Sequence, residues 1–104
     1  MSRIEQLQSL LSAEPDDVFL NFALGMELTK VSRSGDALSQ FSRVIELDPD
    51  YTAAYVQKAR LLIETKQPDL ARLTIAAGLE AARRATEPHT TEKLHEMLRG
   101  LAGV

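Results

Sequence analysis

The sequence has no cysteine. Disulfides, zinc–thiolate sites and thiol catalysis are thereby excluded, and nothing argues for an oxidising compartment. Positive charge is not in excess: 12 Lys and Arg stand against 15 Asp and Glu, for a net charge of -3. The basic footprint that nucleic acid or anionic lipid would require is absent, so neither partner is expected. No apolar run approaches the roughly 18 residues of a membrane span. Near the N-terminus Glu5, Gln6 and Gln8 interrupt any apolar stretch, so no signal peptide is expected and a cytoplasmic location is. Aromatics make up only 5% of the chain. Runs of β-branched and aromatic residues with a period of two are missing, which leaves little material for strands.

Ala, Leu, Glu, Gln and Arg dominate instead, and they favour helix. The apolar fraction of 44% and charged fraction of 26% suit one small globular domain in a chain of 104 residues. Four prolines and a few glycines punctuate it. Breaks at Pro15, Ser34-Gly35, Asp48-Pro49-Asp50, Gln67-Pro68 and Glu87-Pro88 predict helices near 2–12, 16–32, 35–47, 51–66, 69–85 and 88–101. Connections this short make neighbouring helices antiparallel.

Two of the breaks echo each other. "LLSAEPDD" and "VIELDPDY" share their spacing, with Pro15 and Pro49 in matching places. At the offset that carries Pro15 onto Pro49, Leu7, Leu10 and Leu11 fall on Phe41, Val44 and Ile45. Gly25 falls on Ala59, Leu28 on Leu62, Ala37 on Ala71 and Phe41 on Ile75. A fixed period holding two helices is the signature of a helical array.

The unit resembles the tetratricopeptide repeat, whose pattern is an aromatic, Leu-Gly, Tyr, then Ala, Phe and Pro. The first unit reads Asn21, Leu24-Gly25, Leu28, Ala37, Phe41 and Pro49, with the leading aromatic and the Tyr replaced. The second reads Tyr55, Lys58-Ala59, Leu62, Ala71 and Ile75. It departs further, with Lys58 where Leu is usual, Gly78 opposite Val44 and Arg83 opposite Pro49. The resemblance implies an all-α, right-handed α-solenoid of antiparallel helix pairs, about five to six helices in a single domain over residues 1–104. Residues 1–15 would be an N-terminal half-repeat, 16–49 and 50–83 two repeats, and 86–102 a capping helix with an apolar stripe of Leu94, Met97, Leu98 and Leu101. "TEPHT" comes five residues late, so the helix before it should run long and the last should not start near residue 84.

The resemblance also implies a non-catalytic adaptor that binds a protein or peptide partner on its concave face. On α-helical spacing Leu20, Leu24, Leu28 and Val31 share one side of the helix at 16–32, facing its paired helix. Phe19, Phe22, Met26 and Lys30 lie on the other. With Val56, Arg60 and Ile63 of the second unit they are the candidate groove residues, offering apolar anchors, an adaptable thioether and a directional cation. Some family members hold an acidic C-terminal tail with Lys, Asn and Arg on this face. Phe22, Met26 and Val56 leave Arg60 a poor clamp, so chaperone-tail binding is not expected. The alternative is a self-associating structural module, or a subunit of a larger assembly, using the same apolar face as a homodimer would.

Catalytic, metal and cofactor sites are not expected. Glu92-x-x-His95 is one pair where a di-iron bundle needs two pairs and two further Glu. His95-Glu96-Met97-Leu98-Arg99 has Arg where a zincin needs its second His. The acids at Asp16-Asp17 and Asp48-Pro49-Asp50 read as helix caps rather than calcium ligands. Lys58, Arg60, Arg83 and Arg84 could gather into a small anion site, but a solvated face is the simpler reading.

Overall fold

The computed structural model describes residues 1–103. Among them are six helices and no strand, and the chain forms two compact units, divided between Asp48 and Pro49.

The first unit holds α1 (Arg3–Ala13), α2 (Val18–Lys30) and α3 (Ser34–Leu47). A capping box starts α1: the Glu5 amide donates to Ser2 Oγ at 3.1 Å, and the Ser2 amide to Glu5 Oε1 at 3.0 Å. Asp17 caps α2 by accepting from the Leu20 amide at 2.8 Å. The helix stops at Lys30 because Ser32 turns into the left-handed region (φ 60°), letting the Arg33 amide close on the Leu28 carbonyl at 3.0 Å. Val31 therefore leaves the helical face predicted for it and is 54% exposed. The core of this unit is Leu7, Leu24, Leu28, Ala37, Phe41 and Val44. Phe41 sits over Gly25, where a Cβ would come within 2.7 Å of its ring, so only glycine lets α2 and α3 approach this closely around a phenylalanine.

The second unit holds α4 (Thr52–Glu64), α5 (Pro68–Ala85) and α6 (Pro88–Gly100). Its first turn repeats the device of the first unit. Lys66, the repeat equivalent of Ser32, is also left-handed (φ 62°), and the Gln67 amide closes on the Leu62 carbonyl at 2.8 Å. α5 is the longest helix at 18 residues, and α6 begins at Pro88, as the late "TEPHT" predicted. The turn between them has Thr86 left-handed (φ 56°) and the Glu87 amide on the Ala82 carbonyl at 3.0 Å. α6 packs on both α5 and α4. Leu94 is its buried residue and Leu101, just past its end, is buried too, whereas Met97 is half-buried and Leu98 exposed, so the predicted stripe seals the unit along one edge.

Gly78 is no loss of pattern. A Cβ there would lie 2.8 Å from Tyr55 Cβ and 3.1 Å from Leu94 Cδ1, so α4, α5 and α6 converge on the missing side chain. The larger Tyr55, where the first unit has Asn21, needs that space.

Candidate functional site

The chemistry at the two Asp-Pro breaks comes first, because it decides which polar residues are left for a partner. Asn21 Nδ2 donates to the Pro15 carbonyl at 3.1 Å and to the Asp17 carbonyl at 2.8 Å. Tyr55 Oη, at the equivalent position of the second unit, donates to the Pro49 carbonyl at 2.7 Å. An amide in one unit and a phenol in the other satisfy the carbonyl of the equivalent proline. Both side chains are buried, so each bond saves a backbone acceptor from going unpaired.

The acids divide the remaining work. Asp17 caps, but Asp16 pairs with Arg43 at 2.5 Å and Asp50 with Arg84 at 2.9 Å, each arginine reaching over from the second helix of the pair. No side chain caps α4, so the capping role expected for Asp50 belongs instead to an ion pair. Arg83 pairs with Glu80. That bond, and the guanidinium charge behind it, hold the Glu80 carboxyl below its usual range and raise Arg83. With Arg83 and Arg84 both committed to carboxylates, the four-cation anion site is not assembled.

The predicted groove residues fall into different environments. On α2, Phe19 is 66% exposed, Phe22 and Met26 are half-buried, and Lys30 is exposed with Nζ 3.1 Å from Glu27 Oε2. The Phe22 ring lies 5.6 Å from Phe41, tilted by 56°, so one side of it belongs to the core. On α4, Arg60 is exposed and weakly bonded to Gln57 Oε1 at 3.4 Å, and Ile63 is half-buried. Val56 corrects the expectation: it is only 6% exposed. It floors a shallow depression with Ala53, Gln57, His89, Thr90 and Lys93, because α6 lies against α4 there. No local pattern in α4 signals that burial; it follows from the docking of a helix far along the chain.

Glu92 and His95 are both exposed on α6, and among the described residues no group of three or more His, Asp or Glu is placed to hold a metal ion. Among the same residues no helix is long and apolar enough to cross a membrane.

The sequence matches the tetratricopeptide repeat family over residues 32–91. The chain belongs to the tetratricopeptide repeat family. A tetratricopeptide repeat domain protein from Salinibacter ruber, solved by crystallography, is 30% identical with a TM-score of 0.78; the match covers 84% of this chain and 98% of that one. A protein from Bordetella parapertussis, solved in solution, is 25% identical with a TM-score of 0.85 over 98% of this chain and 89% of that one. The TPR2B domain of yeast Sti1, solved as a complex with pHsp70, has a TM-score of 0.88 over 95% of this chain and 79% of that one. At 18% identity that likeness concerns the fold alone. No curated protein matches the chain. The all-α helical-repeat class expected from the sequence is the fold these tetratricopeptide structures share, and the family is one of protein-interaction modules.

Proposed function

We propose that this tetratricopeptide protein is a non-catalytic adaptor that binds a segment of a partner protein on the outward side of α2. One observation carries the reading: Phe19 is 66% exposed on the helix side that also presents half-buried Phe22 and Met26. An exposed aromatic beside partly covered apolar neighbours is the arrangement in which a partner's anchor gains most by excluding water. Met26 lets the surface fit more than one side chain, and Lys30 gives the face a polar end. On this reading residues 16–49 and 50–83 are the two repeats, residues 1–15 a half-repeat and 86–102 the closing helix.

The occupant of the yeast Sti1 domain is not carried over to this chain. A clamp for a terminal carboxylate needs converging cations and amides, and α2 offers Phe22 and Met26 instead.

The test is affinity capture from the native cell extract with wild-type protein and Phe19→Glu. Phe19 is the better probe because substituting Phe22 would also disturb Phe41. A partner retained by the wild type and lost by a helical, folded Phe19→Glu supports the reading. Equal capture by both proteins refutes it.

A further inference from the structure

We draw no further inference here: the strongest candidate, the apolar patch that Leu70, Leu73 and Ala77 leave exposed on α5, is an unpartnered helix face, and nothing in the structure shows what covers it.

Discussion

Gly78→Ala should destabilise the second unit although it removes a glycine from a helix. In an open helix the change would add about 1 kcal/mol of stability through propensity. Here the new methyl would sit 2.8 Å from Tyr55 Cβ. Carbon atoms pack at about 3.5–4.0 Å, so α4 and α5 must part by about 1 Å at this point. Tyr55 Cβ is one bond from the α4 backbone, and no rotamer change moves it aside. Leu94 Cδ1, at 3.1 Å, blocks the other direction and is itself fully buried. Overpacking of this kind costs roughly 1–3 kcal/mol, and a contact against an immobile atom belongs at the upper end. Set against the propensity gain, a net loss of about 2 kcal/mol follows, equal to a fall in Tm of about 8–15 °C for a chain of this size. Urea and thermal unfolding followed by circular dichroism measure both quantities. Gly35→Ala is the control, because nothing lies within 4 Å of its added methyl. If Gly78→Ala proved as stable as Gly35→Ala, the convergence of three helices on Gly78 would not be the constraint inferred above.

Four further outcomes are expected. Thr86→Gly should stabilise the chain by about 1 kcal/mol, since a β-branched residue is held left-handed there at φ 56°; a fall in the urea midpoint would contradict this. Tyr55→Phe should cost about 1 kcal/mol by leaving the Pro49 carbonyl without its 2.7 Å donor, with no change in helix content. Arg84→Ala should cost under about 0.5 kcal/mol, and less at high salt, because its pair with Asp50 is exposed on both sides. The Glu5 carboxyl is held below its ordinary value chiefly by the Ser2 amide and then by the Ser2 hydroxyl. A lowered folded pKa stabilises the charged form, so the contribution is complete above the ordinary glutamate range and fades as pH falls below it; amide exchange in the first turn of α1 should accelerate there, and a flat profile would refute the link.

The helices were legible because they depend on local signals. Proline and Ser-Gly breaks placed all six to within a few residues, although Ser34-Gly35 itself opens α3 and the turn is made at Ser32, and the late "TEPHT" foretold the long α5. What escaped depends on backbone turns and on contacts that residue type and helical spacing do not display. Val31 looked like core on a helical wheel, but the wheel does not apply once Ser32 turns left-handed. Val56 looked available on α4 alone and is buried because α6 docks beside it. Gly78 read as a defect when set against Val44, yet it is the complement of Tyr55. Asn21 read as a lost aromatic, although its amide makes the hydrogen bond that a phenol makes at residue 55. Of the candidate face, the sequence marked the side of α2 that carries Phe19, Phe22 and Met26, but not that Phe22 has its ring against the core.

The two breaks now explain why surface variants of this chain can be interpreted at all. Each unit closes its own break with its own residues: Asn21 on the Pro15 carbonyl and Asp16 with Arg43 in one, Tyr55 on the Pro49 carbonyl and Asp50 with Arg84 in the other. None of these bonds uses a residue from the outward side of α2. Phe19 can therefore be exchanged for glutamate while the packing around Phe41 and Gly78 stays intact. Loss of binding at Phe19 would then report on the surface itself. The reverse also holds: a variant at Gly25 or Gly78 that lost a partner would say nothing about where the partner sits, because the helix pair beneath the face would have moved first.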